Sequence, residues 1–406
     1  MKAILPKIKF KNFYEKWNRK KLQSIAPLRG GFAFKSEKFQ NSGIPIVRIS
    51  NIKFDGTVGG EFEYYSKINS DEKFVLRGRS ILLAMSGATT GKIAMLDSEE
   101  EYYQNQRVGY FQNTGAVNYD FLSSVLQTKE FTNQLNSVLV AGAQPNISSK
   151  EIDSFIFCIP ESLNEQSAIG SLFRTLDDLL ASYKENLANY QSLKATMLSK
   201  MFPKAGHTVP EIRLDGFEDE WDLIKLGDFC DLITKGTTGK SQSEQGMVNF
   251  VKVENLKDNE IYPIVKISEE EHFGSLKRSI LYEGDILFSI AGTLGRTAIV
   301  KNNILPANTN QALAIIRGYK LDAYFLLVVL SGEVVKDYIR KNPTVGAQPN
   351  LSLEQVSSLK IKIPSLDEQQ AIGSYFSNLD NLITFHQEKI TQLETLKKKL
   401  LQDMFI

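Results

Sequence analysis

From Asn164, and again from Asp367, apolar residues recur in steps of three and four over many turns. The first stripe is Ile169, Leu172, Leu176, Leu179, Tyr183, Leu187, Tyr190, Leu193, Met197 and Met201. The second is Ile372, Tyr375, Leu379, Leu382, His386, Ile390, Leu393, Leu396, Leu400 and Met404. This period predicts two amphipathic helices, each roughly 55 to 60 Å long at 1.5 Å per residue. Asn164 and Asp367 are the expected N-caps, and Asp367 with Gln370 fits a capping box. A solitary helix of this length would leave its stripe in water, so the two stripes are expected to bury each other as an antiparallel coiled coil. His386, opposite in register to Tyr183, reads as a polar residue packed in that seam.

Ahead of each helix the pattern changes to short β-type runs separated by Gly, Asn and Pro. In the first half these are IPIVRISNI, SILLAMSG and FIFCIP; in the second, VNFVKVENL, DILFSIAG and LKIKIP. The expected fold class is therefore α+β: two similar mixed domains and two long antiparallel helices, related by an internal repeat with approximate two-fold symmetry. The expected domains are 1–158 and 204–362, with spacer helices in 159–203 and 363–406.

The repeat has a period near 204 residues, long enough to be a domain duplication rather than a solenoid unit. GAQPNIS at Gly142–Ser148 returns as GAQPNLS at Gly346–Ser352, and Trp17 with Lys21 and Leu22 as Trp221 with Lys225 and Leu226. VRISNI from Val47 answers VKVENL from Val251, and SGATTGK from Ser86 answers AGTLGR from Ala291. Asn105 and Gln106 answer Asn310 and Gln311, and NEQSAIG from Asn164 answers DEQQAIG from Asp367.

The 406 residues are 42% apolar, enough for more than one packed core. The N-terminal segment has no uninterrupted apolar core and no run is long enough for a membrane span, so a soluble, cytoplasmic protein is expected. Only Cys158 and Cys230 are present, which excludes a disulfide framework or a CxxC site. His207, His272 and His386 stand alone, and no metal is expected. Net charge is +1, but Met1 to Asp55 carries thirteen basic residues against three acidic ones, a candidate nucleic-acid surface.

Catalytic chemistry does not assemble. Gly87 to Lys92 is one residue short of a phosphate loop and has Ile93 where Ser or Thr should hold magnesium. What the glycines can do is bring backbone N–H groups and one cation, Lys92 or Arg296, close to a phosphate. The candidate DNA-binding residues are Arg29, Lys35, Arg48 and Lys92 in the first half and Lys240, Lys252 and Arg296 in the second. Gln144 and Asn146, with their counterparts Gln348 and Asn350, offer amides; their identity in both halves favours a structural or partner-docking loop over base reading. The segments Gly30–Gln40 and Gly236–Glu244 differ between halves.

Taken in order, the repeated GAQPNIS and GAQPNLS loops, the GIPIVRISNI segment, and IP followed by NEQSAIG or DEQQAIG opening a long helix resemble the specificity subunit of type I restriction-modification systems. The resemblance covers essentially the whole chain. It implies two target-recognition domains reading the halves of a bipartite, asymmetric double-stranded DNA target, with the helices as a ruler. It also implies that this chain has no catalytic site or cofactor of its own. Two methyltransferase subunits would dock on the helices, bring S-adenosylmethionine and methylate adenine, and motor-nuclease restriction subunits would join for cleavage. A sequence-specific DNA-binding protein acting alone, or a coiled-coil adaptor, are the competing readings. Aliphatic positions outside the mutual stripe, Leu180, Ala188 and Leu198, are expected to be exposed and to favour docking of further helices.

Overall fold

The computed structural model describes residues 6–68, 72–141, 146–239, 246–341 and 350–405. The chain divides into two compact units, Met1–Lys184 with Glu388–Ile406, and Glu185–Gln387. Each unit therefore combines one β-rich domain with stretches of both long helices, Leu163–Lys200 and Leu366–Asp403.

In the first unit a four-stranded antiparallel sheet runs in the order Leu28–Gly30, Val108–Phe111, Ser80–Ala84, Ile93–Leu96. A second sheet orders Glu63–Tyr65, Ile44–Val47, Tyr102–Gln104 and Val75–Leu76, its middle pair parallel. The second unit repeats the first sheet as Cys230–Lys235, Leu313–Tyr319, Ile286–Ser289, Thr297–Ile299, and keeps the parallel pair as Val248–Val251 with Ala307–Thr309. Ser80–Ala84 is buried at every position. Its alternate residues go to different cores: Ile81 and Leu83 pack toward the helices, Leu82 and Ala84 against the Val47, Ile52 and Val108 cluster. That is why SILLA is an unbroken apolar run rather than an alternating one. In the second unit Ile286 and Phe288 take one side and Leu287 the other.

The repeated Glu-Gln pair at each helix start is a fastener. Gln166 accepts from Asn118 N (2.8 Å) and donates to Pro160 O (2.8 Å); Gln369 does the same with Asp322 N (3.1 Å) and Pro364 O (2.9 Å). Asn118 and Asp322 in turn cap the short helices Tyr119–Val125 and Ala323–Ser331. Gly170 and Gly373 follow one turn later, where a Cβ would run into Phe121 N or the Asp322 carboxylate. Gly170→Ala should thus destabilise the first unit by about 1 to 3 kcal/mol through overpacking against fixed backbone, read as a lowered urea midpoint.

Three expectations about the helices need correction. The helices begin at Leu163 and Leu366, and the backbone N–H groups of Glu165 and Glu368 donate to Ser162 and Ser365 (both 3.4 Å), so these serines cap in place of Asn164 and Asp367. Leu179 and Leu382 are exposed at 42% and 37%, while Phe173, Leu180 and Phe376 are buried. Ile169, Leu176, Ile372, Leu379 and Ile390 of the expected stripe are buried, and Phe173 and Phe376 beside it are buried because they must also meet the domain cores, a demand the helix pattern alone does not express. Leu198, expected on the surface, packs against the second core, whereas Ala188 is exposed. Within the second unit the His386 ring centroid lies 5.2 Å from that of Tyr190, and its Nδ1 is 2.8 Å from Leu382 O.

Within each unit the helix stretches run antiparallel, and one ion pair appears twice: Lys397 with Asp177 in the first unit, Lys194 with Asp380 in the second. Asp177 is thus an ion-pair partner on the helix. Each domain core is closed by the end of a helix. Phe405 packs on Trp17, Phe121 and Phe173 in the first unit; Phe202 packs on Trp221, Phe325 and Phe376 in the second. Cys158 and Cys230 are free and half-buried, and burial pushes the Cys230 thiol up to about 11, away from reactivity.

Candidate nucleic-acid interface

Four repeated motifs, spread over a hundred residues of each half, meet at one place in each unit. The first is the turn after the parallel strand. Buried Asn51 accepts from Arg48 N (3.0 Å) and donates to Gly59 O (3.3 Å) and Glu61 O (2.8 Å), which fixes the short helix Ile49–Asn51. Asn255 accepts from Lys252 N (2.8 Å) in the same way. Arg48 and Lys252 therefore hold equivalent places at the end of a rigid turn.

The glycine segments are the second motif. Gly87 and Gly91 adopt φ of 80° and 84°, Gly292 and Gly295 of 74° and 80°, angles that favour glycine. They let the chain reverse between Ser80–Ala84 and Ile93–Leu96, closed by Gly91 N to Ala84 O (2.8 Å) and Lys92 N to Thr89 O (3.0 Å). The Thr89 hydroxyl donates to Ile49 O (3.1 Å), joining this turn to the Arg48 turn. In the second unit the join is made by Arg296 itself, whose Nη1 donates to Val253 O (3.2 Å) and Leu256 O (3.3 Å).

The third motif is the Asn-Gln corner. Asn105 N donates to Val47 O (3.1 Å) and Met85 N to Arg107 O (2.9 Å), so Gln106 and Arg107 are exposed between the two turns. Asn310 N to Val251 O (3.2 Å) and Ile290 N to Ala312 O (2.9 Å) repeat the arrangement around exposed Gln311. Last, the end of the GAQPN loop is stitched alongside: Ile147 N donates to Met85 O (2.9 Å) and Leu351 N to Ile290 O (2.8 Å). Its serine then starts a helix through a reciprocal cap, Ser148 with Glu151 and Ser352 with Gln355.

The cations expected from the sequence fall into distinct environments. Arg29 is drawn inward: it donates to Gln104 Oε1 (3.2 and 3.3 Å) and Val75 O (3.1 Å), lies 4.7 Å from the Tyr110 ring centroid, and burial lowers its pKa. Its guanidinium braces the two sheets. Arg48 pairs with Glu63 at 3.4 Å and stays about one-third exposed. Lys92 is half-buried with Nζ 4.5 Å from the Phe54 ring centroid, Lys252 is half-buried, Lys35 and Arg296 are exposed. Lys240, Gln144 and Gln348 lie outside the described residues; Asn146 and Asn350 are exposed. Sequence reading left out Gln106, Arg107 and Gln311, although the repeat itself had marked the Asn-Gln pair. A polar pair recurring between two strands, with no core to serve, was the available signal.

A model of the type I restriction modification DNA specificity domain matches this sequence twice, over residues 14–189 and 218–395. The chain belongs to that family. Each match opens just before a domain's tryptophan, Trp17 or Trp221, and runs into the following long helix, so a specificity domain takes in both the motif cluster and part of a seam. The chain is similar to the type I restriction enzyme MjaVIII specificity subunit of Methanocaldococcus jannaschii, 22% identical over 82% of this chain and 79% of that one. It is also similar to the type I restriction enzyme EcoBI specificity subunit of Escherichia coli, 24% identical over 97% and 86%. The fold is shared with the S subunit of the type I restriction-modification system from M. genitalium, at a TM-score of 0.68 and 17% identity over 99% of both chains. Among the described residues no helix is long and apolar enough to cross a membrane.

Proposed function

We propose that this chain reads a bipartite, asymmetric sequence in double-stranded DNA, one half-site per unit, and directs adenine methylation and restriction by partner subunits without a catalytic site of its own. The carrying observation is the convergence of the four repeated motifs into one cation-bearing face in each unit. The scaffold of that face is the same twice, while its tips differ: Phe54 and Asp55 in one turn, Asp258 and Asn259 in its counterpart. A common frame with unlike tips suits a common backbone grip with different base readout. In this reading S-adenosylmethionine belongs to methyltransferase partners held along the exposed helix faces, and motor-nuclease subunits join the same assembly in the cytoplasm. The test is to map N6-methyladenine in a genome expressing the chain with its methyltransferase. One asymmetric bipartite motif is expected; a palindrome, or no motif, overturns the reading.

Lys92 and Arg296 are proposed as phosphate contacts. Lys92→Ala should weaken binding to every sequence alike and reduce the salt slope by about one phosphate's worth, measured by titrations at several salt concentrations. Arg296→Ala should do the same in the second unit and, because its guanidinium also ties two turns, lower that unit's stability.

A further inference from the structure

We infer that Phe54 is a base-contacting residue that helps set the sequence read by the first unit; this rests on the DNA-reading function proposed above. Phe54 is 75% exposed at the tip of a turn. The turn is not loose. Lys53 N donates to Thr57 O (3.0 Å), Gly56 takes φ of 85°, Asp55 accepts from Thr57 N (3.0 Å) and Oγ1 (2.7 Å), and Met95 N donates to Gly56 O (2.9 Å), docking the turn on a sheet strand. A rigid device thus holds a phenyl ring in water, where it contributes nothing to a core and its exposure is unfavourable.

The surroundings say what the ring could meet. Lys92 Nζ sits 4.5 Å from its centroid, Lys53 precedes it, and the glycine turn carrying Lys92 is bonded through Thr89 to the turn that begins at Arg48. An apolar ring with an ammonium at its face fits a partner that is anionic at its edge and apolar within, which describes a phosphate backbone with bases behind it. The ring cannot pay a phosphate any hydrogen bond, so its share of such a contact is a base: a thymine methyl in the major groove, or the flat of a base at an opened step. The ammonium beside it suits the neighbouring phosphate.

The counterpart turn sharpens the point. Asp258 and Asn259 occupy it at φ of 51° and 64°, and Asn259 Oδ1 accepts from Thr297 Oγ1 (3.0 Å), closing the hairpin Leu256–Lys257/Glu260–Ile261. One tip is turned into its own sheet and polar, the other aromatic and presented. The Phe54 contact therefore belongs to the first half-site alone.

The test uses the full chain with its methyltransferase, on duplexes carrying the motif that the unaltered complex methylates. If that complex yields no motif, the function proposed above fails and the present inference falls with it. Given a motif, Phe54→Ala should lower the ratio of cognate to non-cognate binding by about tenfold, relax the methylation profile at one or two adjacent base pairs of the first half-site, and leave the second half-site and the salt slope as they were. Phe54→Leu should retain most of the preference. A methylation profile and binding ratio that do not change with Phe54→Ala overturn the inference, as does a loss shared equally by all sequences, which would make the ring a general contact or a partner-docking residue. Circular dichroism and an unchanged urea midpoint exclude misfolding, which the exposure of the ring makes an unexpected outcome.

Discussion

Glu368→Gln is expected to cost the second unit about 3 to 5 kcal/mol, the range for removing one partner of a buried ion pair, while the equivalent change Glu165→Gln should leave the first unit as stable or more so. Both glutamates are almost fully buried at the start of a long helix, at 1% and 2% exposure. Glu368 is held by Arg213 through Nε (2.8 Å) and Nη2 (2.7 Å), a forked pair that the guanidinium geometry favours. Removing its charge leaves Arg213, whose side chain is 15% exposed, with only the Asp219 carbonyl (2.6 Å) and the through-space charges of Asp219 and Glu218 to offset it. Among the described residues Glu165 receives only the Trp17 indole N–H (3.2 Å), and its buried Oε2 has no hydrogen-bond partner among them. Lys9 stands one repeat before Arg213 and acts on Glu165 through space rather than by a fork.

A pH experiment separates the two. Burial, the leading cause, raises the Glu165 carboxyl above the usual carboxylate range, so the folded unit holds that proton more firmly than the unfolded chain. Its contribution is fully present below the unfolded pKa and is lost as pH rises through the folded one. The first unit should therefore gain from Glu165→Gln progressively as pH climbs above the ordinary glutamate value, and the gain should vanish in acid. Each unit contains one of the two tryptophans, Trp17 and Trp221, packed in its core. Urea melts followed by fluorescence of Trp17→Phe and Trp221→Phe backgrounds report each unit alone. A Glu165→Gln penalty as large as that of Glu368→Gln would show that the unpartnered carboxylate is in fact well compensated.

Residues 1–203 made as a fragment should assemble into a symmetric dimer and, with methyltransferase, methylate an interrupted palindrome built from the first half-site. Each domain core is closed by the end of the long helix that follows the other domain in the chain. Met404 and Phe405 close the first, Met201 and Phe202 the second. These endings are repeat equivalents, so the fragment carries at Met201 and Phe202 the plug its own core lacks, and a second copy can supply it. The seam charges agree, since Asp177 and Lys194 correspond to Asp380 and Lys397 and would pair across the two copies as they do in the intact chain. Even the entry of the chain matches: Ile8 N donates to Asp403 O and Ile212 N to Lys200 O. His386 would be replaced by Tyr183 opposite Tyr190, a change a polar-edged seam position can absorb at modest cost. Sedimentation equilibrium checks the dimer and methylation mapping the palindrome. A fragment that remains monomeric at tens of micromolar, where a micromolar dimer would form, would show that the helix endings are not interchangeable.

The sequence by itself determined the duplication, the two long helices, the β-rich character of the domains and their family. Those follow from periodicity and from repeated order, which are properties of the chain read in one dimension. It also marked the motifs that matter, because a stretch preserved between two halves under divergent surroundings must serve the shared frame. It did not determine every residue the helices bury, since a helix pattern reports which residues are apolar but not which neighbours compete for them; Leu172 and Phe173 are adjacent apolar residues, and only the domain core makes the second the more deeply buried. Nor could it tell a gripping cation from a bracing one. Arg29 and Arg48 read alike in a basic segment, yet Gln104, Val75 and Tyr110 take up the first while the second stays half in water. The tertiary structure alone decided that VRISNI, the glycine turn, the Asn-Gln corner and the end of the GAQPN loop share one face, because that contact depends on backbone hydrogen bonds between strands distant in the chain, and such bonds are the same for every side chain and leave no mark in the sequence.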